Sequence, residues 1–143
     1  MSEILVNKLT GTSTAGSILV TGEGGAATMQ LQQGLAKVWV NFEADSSNAI
    51  RDSFSLSSIT DATTGTFTLN LSSAMSNDDY IMTGSALTSQ TSAFDDAAII
   101  NRDTSQVGSI TTTANPFYTY RFETSETLYD CNETMVILHG DLA

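Results

Sequence analysis

The sequence predicts an all-β fold, from its composition and from the spacing of its apolar residues. Ser and Thr together make up roughly a quarter of the 143 residues, and there is a single Pro. β-branched and small residues favour strands and tight turns, and no long segment has apolar residues at helical spacing. Segments 36–42 and 66–71 alternate apolar and polar residues, as a strand with one buried face does. These features predict an antiparallel sandwich rather than a parallel sheet.

The first 35 residues differ in composition from the rest and are predicted to be a separate segment. Short apolar patches are punctuated there by six glycines, so little surface can be buried within one chain. Such a segment becomes ordered by strand addition or by intertwining with other copies. A flexible leader is the alternative. The candidate docking and oligomerisation residues are Ile4, Leu5, Val6, Ile18, Leu19, Val20, Met29 and Leu31.

Residues 36–143 are predicted to form the sandwich, which we expect to be jelly-roll-like with about eight strands. In the first strand, Val38, Val40 and Phe42 share one face, whereas Lys37 and Trp39 lie on the other. A turn at 61–65 leads into 66–71 and gives the clearest hairpin signal. Asn115-Pro116 predicts a strand break, because Pro cannot donate to a ladder. The predicted strands are 36–42, 50–57, 66–71, 80–87, 97–101, 107–113, 117–123 and 134–138.

The charge balance excludes one class of function and disfavours another. Sixteen acidic residues face five basic ones, for a net charge of −11. A basic stripe that could neutralise phosphates is absent, so nucleic-acid binding is not expected. An acidic surface also repels anionic lipid headgroups, and no apolar run is long enough to span a bilayer. The amino terminus lacks the pattern of a signal peptide, which predicts synthesis in a cytoplasm.

Enzyme chemistry finds little support in the sequence. Any Ser-His-Asp or Cys-His triad would have to use the single histidine, His139. We instead expect His139, in a strand-like segment near the carboxyl terminus, to be a half-buried surface histidine. Cys131 has no partner for a disulfide and is expected to pack near a core strand. The acidic pairs 78–79 and 95–96 lie in turns outside any calcium-loop motif. We expect no catalytic site, metal or cofactor; a carboxylate pair or a cation held between loops is the alternative.

Several segments resemble a module that recurs in virion proteins of tailed bacteriophages, especially those of marine and freshwater bacteria. The most specific resemblance runs from Ala36 to Tyr80, and the Gly-rich leader resembles the attachment segments that precede the module. The sequence departs from the pattern between about residues 87 and 115. The segments that carry the resemblance are 35–42, 49–54, 58–61, 65–70, Met75 with 78–80, and 135–141.

The resemblance implies a trimeric β-sandwich on a fibre, spike or capsid, without catalysis. With 143 residues the chain has room for an anchor, residues 1–35, and a head, residues 36–143, but not for a long shaft. Its partners would be other copies of itself, other virion proteins and a host surface glycan or protein. The protein would be located in the virion, after assembly in the host cytoplasm.

Two functions are compatible with this sequence. One is a short fibre or fibre head for host attachment, and the alternative is a capsid decoration protein with a structural role. A secreted adhesin-like sandwich is a third, more distant reading, against which the missing signal peptide counts. The aromatic residues Trp39, Tyr118 and Tyr120 are the candidates for an interface or for stacking on a ligand.

Overall fold

The structure is a computed structural model that describes residues 4–14, 17–45, 47–88, 97–102, 108–122 and 126–143. It divides the chain into two compact units, Met1–Leu35 and Ala36–Ala143. In the described ranges the regular structure is entirely β, which confirms the predicted fold class.

The first unit contains one short hairpin. Strands β1 (Leu19–Thr21) and β2 (Thr28–Gln30) pair antiparallel, with Val20 opposite Met29. The turn between them is closed by a hydrogen bond from the Gly25 N–H to the Gly22 carbonyl, at 2.9 Å. With three residues per strand and all of them exposed, this hairpin buries little apolar surface of its own.

The second unit is an antiparallel sandwich of two sheets. One sheet has the strand order β4-β3-β11-β7, and the other has the order β10-β9-β6-β5, with β8 also paired to β9. The strands are β3 (Val38–Glu43), β4 (Ala49–Phe54), β5 (Leu56–Thr63), β6 (Thr66–Leu71), β7 (Ile81–Leu87), β8 (Ala97–Asn101), β9 (Ala114–Phe122), β10 (Glu126–Leu128) and β11 (Glu133–His139).

The core lies between the two sheets and is centred on three phenylalanines. Phe42 comes from the four-stranded sheet, and Phe67 and Phe117 come from the five-stranded sheet. Their ring centroids are 5.4 to 6.4 Å apart, and all three rings are buried. Val38, Val40 and Phe42 are at most 2% exposed, so the predicted alternation of β3 is confirmed. Lys37 departs from that alternation and is buried.

The predicted hairpin ending in 66–71 is confirmed, with β5 and β6 joined by Thr64 and Gly65. Gly65 has a φ of 69°, a conformation that glycine adopts without steric cost. Its N–H donates to the Asp130 carboxylate at 2.6 Å, which fixes the turn against the segment after β10.

The single strand predicted over 50–57 is wrong, because the chain changes sheet within it. Strand β4 ends at Phe54 in the four-stranded sheet, and β5 begins at Leu56 in the five-stranded sheet. Ser55 between them has a φ of 56°, in the left-handed region, which turns the chain sharply. A glycine would have indicated a turn at this position, but a serine does not. The spacing of the apolar residues therefore predicts one strand across the corner.

The predicted break at Asn115-Pro116 is also wrong, since both residues lie inside β9. The Leu71 N–H bonds to the Thr113 carbonyl and the Thr119 N–H bonds to the Gly65 carbonyl. Along an antiparallel strand, the backbone N–H and C=O of successive residues point alternately toward and away from a given neighbouring strand. Because residues 113 and 119 point toward β6, the nitrogen of Pro116 faces away from it. On that other side β8 pairs with β9 only from Tyr118 onward. Pro116 therefore removes no ladder hydrogen bond.

The strand predicted over 107–113 is wrong where it can be compared, because residues 108–113 form a loop; residue 107 lies outside the described residues. The Thr111 hydroxyl accepts hydrogen bonds from the N–H groups of Thr113 and Ala114. The Met75 N–H donates to the Thr112 carbonyl at 2.7 Å. Threonine side chains that bond nearby backbone compete with a sheet ladder, and here the local bonds prevail.

Candidate functional site

The outer face of the four-stranded sheet carries a continuous row of uncharged side chains. Across the sheet, Phe54 pairs with Trp39, Trp39 pairs with Ile137, and Ile137 pairs with Thr83. These positions alternate with the buried residues of β3 and β11, so all four point away from the core. Directly opposed side chains on neighbouring strands are roughly 4.5–5.5 Å apart, close enough to form one surface.

The row and its neighbours are apolar and exposed. Phe54 is 53% exposed, Ile81 is 67% exposed and Ile137 is 38% exposed, while Trp39 is half-buried. Met135 and Leu87 extend the patch along β11 and β7. We call this surface, formed by Trp39, Phe54, Ile81, Leu87, Met135 and Ile137, the apolar face. Apolar patches of this kind on a water-soluble domain mark sites of contact with another molecule.

Three charged residues adjoin the apolar face on one side: Arg51 and Glu133, which form an ion pair, and Asp52, which lies opposite Asn41. The Arg51 guanidinium lies 3.2 Å from a Glu133 carboxylate oxygen. The Asn41 amide donates to the same oxygen at 2.6 Å. An exposed ion pair of this kind contributes little stability by itself, but it leaves less net charge beside the apolar residues.

The predicted aromatic candidates separate into two sites. Trp39 belongs to the apolar face, whereas Tyr118 and Tyr120 lie on β9, on the outer face of the five-stranded sheet. Their ring centroids are 5.6 Å apart with 33° between the planes, and both side chains are half-exposed. The structure therefore brings the two tyrosines together and places Trp39 in the other sheet.

The predicted docking residues of the first unit have mostly exposed side chains. Ile4, Leu5 and Val6 precede the hairpin, and Leu5 is 83% exposed. Leu19, Val20 and Met29 are exposed on the hairpin itself, while Ile18 and Leu31 are partly buried. The Leu31 N–H bonds to the Ile18 carbonyl at 2.8 Å, which extends the hairpin by one link. Most of these apolar side chains are available to a partner.

The sequence interpretation missed most of the apolar face. The sequence did not identify the other residues of this face because they lie on three strands, β4, β7 and β11, that are distant from one another in the chain; these residues are Phe54, Ile81, Leu87, Met135 and Ile137. One signal was present: Met135-Val136-Ile137-Leu138 is apolar at every position, whereas a strand with one solvated face alternates. An uninterrupted apolar run in β11 indicates that both of its faces make contacts.

The thiol of Cys131 is unsuited to nucleophilic chemistry. Cys131 is fully buried, and burial raises the pKa of its thiol, with the nearby Asp130 and Asp45 carboxylates adding to the effect. A raised pKa keeps the thiol protonated at neutral pH, and the thiolate is the reactive form. His139, which the sequence predicts to be a surface histidine, lies half-buried at the end of β11, opposite Ile81.

Across the ranges that the structure describes, no group of three or more His, Cys, Asp or Glu side chains is placed to hold a metal ion. The pair Asp78-Asp79 lies in the connection before β7, and 95–96 lie outside the described residues. A search of the same ranges for a helix long and apolar enough to cross a membrane finds none.

Tyr80 links the connection before β7 to the loop before β9. Its side chain is buried, and its hydroxyl lies 3.0 Å from the Thr111 carbonyl and 3.2 Å from the Ala114 carbonyl. Burial raises the pKa of Tyr80 above its ordinary value of 10.0, although the nearby Asn115 side chain and the Arg102 guanidinium oppose the shift. The neutral hydroxyl is therefore the form that the fold stabilises.

We expect Tyr80→Phe to lower the free energy of unfolding by about 1 kcal/mol at neutral pH, because a buried hydrogen bond is lost. Since the pKa of Tyr80 is higher in the folded state, the wild-type protein also loses stability as pH rises above 10. The variant should lose less over that range, while Cys131 titrates equally in both proteins. Urea unfolding at pH 7 and pH 10.5 measures both effects, and an unchanged midpoint at pH 7 would contradict the first.

No family model matches this chain, and no curated protein and no solved structure is significantly similar to it.

Proposed function

We propose that this chain is a structural protein of a bacteriophage particle, a short trimeric fibre or fibre head whose sandwich is displayed for host attachment. The resemblance of residues 36–80 to modules of tailed-phage virion proteins supports a location in a phage particle. The observation that carries assembly is the apolar face, together with the exposed apolar residues of the first unit.

The apolar face favours contact between copies of this chain. Residues 36–143 contain fourteen acidic residues and only four basic ones, so two sandwiches repel each other over most of their surface. Contact is favoured where exposed apolar side chains can be buried without bringing charges together, as in the row from Phe54 through Trp39 to Ile137. Burying one large apolar side chain contributes roughly 1.5–3 kcal/mol. Several such residues in each copy can outweigh the repulsion.

The first unit has the composition of an attachment segment. Residues 1–35 contain two acidic residues and one basic residue, so they add almost no repulsion to a contact. The hairpin strands are only three residues long and fully exposed, and their backbone can be extended by pairing with a strand of another protein. In this proposal residues 4–31 dock on the particle and the sandwich stands outward.

Deletion of residues 2–31 should leave a folded sandwich that no longer enters particles, because the second unit has its own core and the docking residues are removed. Circular dichroism and urea unfolding of the truncated protein test the fold. Complementation of a phage that lacks the gene, followed by mass spectrometry of purified particles, tests incorporation. A matched control carries Thr12→Ala alone, at an exposed residue of the same segment that is not a docking residue, and should still incorporate. Full incorporation of the truncated protein would overturn the docking role.

A further inference from the structure

Among the side chains that the structure describes on the outer face of the five-stranded sheet, none is charged, although the protein is strongly acidic. On β5, β6, β8 and β9 the outward register positions hold hydroxyl, amide, apolar and tyrosine side chains, and none of them is an acid or a base. In a chain with a net charge of −11, four neighbouring strands without an outward charge form a distinct surface. We call it the polar face; the residues used below are Thr60, Thr68, Asn70, Asn101, Tyr118 and Tyr120.

The tyrosines form the centre of the polar face. Tyr118 pairs with Asn101 across the β8–β9 ladder, and the rings of Tyr118 and Tyr120 lie side by side at 5.6 Å. The face of an aromatic ring is electron-rich and attracts polarised C–H groups, such as those on one side of a pyranose ring. Tyrosine also supplies contact area at a low cost in conformational entropy.

Ordered hydroxyl and amide groups lie farther along the polar face, since Asn70 is opposite Ala114, four residues along β9 from Tyr118. The Asn70 amide donates to the Ser58 hydroxyl at 3.0 Å and to the Thr60 hydroxyl at 2.9 Å, so three side chains on adjacent strands are held in one arrangement. Hydroxyl groups can donate and accept in the same site, as sugar hydroxyls do. A flat surface that combines rings with fixed neutral polar groups matches the chemistry of a carbohydrate.

We propose that the polar face binds a neutral glycan through Tyr118 and Tyr120. A glycan that carries carboxylates would be repelled by the net negative charge. The basic residue Arg121 of β9 alternates with Tyr120, so it belongs to the opposite side of the sheet, and its guanidinium lies over the Tyr129 ring. A neutral sugar requires no desolvation of charge when it stacks on the rings. The inference rests on the proposed function in one respect, since it names the host ligand of an attachment module.

Calorimetric titration of the full-length protein tests this assignment. The probes are hexamers of glucose, of mannose and of N-acetylglucosamine, with hexagalacturonate as the anionic comparison. We expect at least one neutral hexamer to bind and hexagalacturonate not to bind. Tyr118→Ala and Tyr120→Ala should each raise the dissociation constant about tenfold. Tyr118→Phe, which keeps the ring, and Thr113→Ala, outside the polar face, should bind as the wild type does.

The outcomes separate this inference from the proposed function. Failure of all three neutral hexamers to bind at millimolar concentration, or unchanged affinity in both alanine variants, overturns the glycan site even if the protein is found in particles. Glycan binding that depends on the tyrosines supports the site even if the protein is absent from particles, a result that would overturn the proposed function alone.

Discussion

Phe67→Ala should lower the free energy of unfolding by about 3–5 kcal/mol, the largest stability effect that we expect of a single substitution. Phe67 contacts Phe42 of the opposite sheet and Phe117 of the neighbouring strand, with ring centroids 5.4 and 5.7 Å away. Removing the ring leaves a cavity at the point where the two sheets meet. Because domains are stable by only about 5–15 kcal/mol, the variant should unfold at a much lower urea concentration.

The matched control is Phe54→Ala, the same substitution at a phenylalanine that is 53% exposed. Measured at a protein concentration too low for association, it should change the free energy of unfolding by less than about 1 kcal/mol. Equal urea midpoints for the two variants would contradict the assignment of Phe67 to the core and of Phe54 to the surface.

Ile137→Glu should convert the proposed trimer into monomers, raising the dissociation constant by about 100-fold or more. Ile137 lies between Trp39 and Thr83 in the central row of the apolar face. A carboxylate at this position must be buried in every copy when the copies associate, and no basic side chain of the row can neutralise it. Light scattering coupled to size-exclusion chromatography measures the mass of wild type and variant over a range of concentrations.

The control for added charge is Ala62→Glu, at an exposed position of β5 in the other sheet. It adds the same carboxylate away from the apolar face and should leave the mass unchanged. Circular dichroism of Ile137→Glu should match the wild type, since the substituted side chain points outward. A trimer that persists in Ile137→Glu would show that the copies associate through another surface.

The sequence predicts the fold well where the alternation of apolar and polar residues alone decides which side chains are buried. Strand β3 alternates strictly. In β6 the predicted residues Phe67, Leu69 and Leu71 are buried, and Thr66, next to the turn, is buried as well. The failures occur where tertiary structure overrides the rule. Ser55 adopts a left-handed backbone conformation that its residue type does not predict. Pro116 is tolerated within β9 because its nitrogen faces away from β6.

The candidate sites were harder to predict than the strands, for a geometric reason. The apolar face joins residues 39, 54, 81 and 137, which become neighbours only through the pairing register of four strands. A single sequence does not specify that register between distant strands. Tyr118 and Tyr120 could be recognised as a pair because they belong to one strand and are two residues apart.

Cryo-electron microscopy of the purified phage particle tests the central claim most directly, since it locates this chain and counts its copies. We predict a small number of threefold assemblies at the tail or at a vertex, with residues 4–31 against the particle and the sandwich outward. Many copies spread over the capsid lattice would contradict the attachment role and favour a decoration protein. Absence of the chain from the particle would contradict the proposal as a whole.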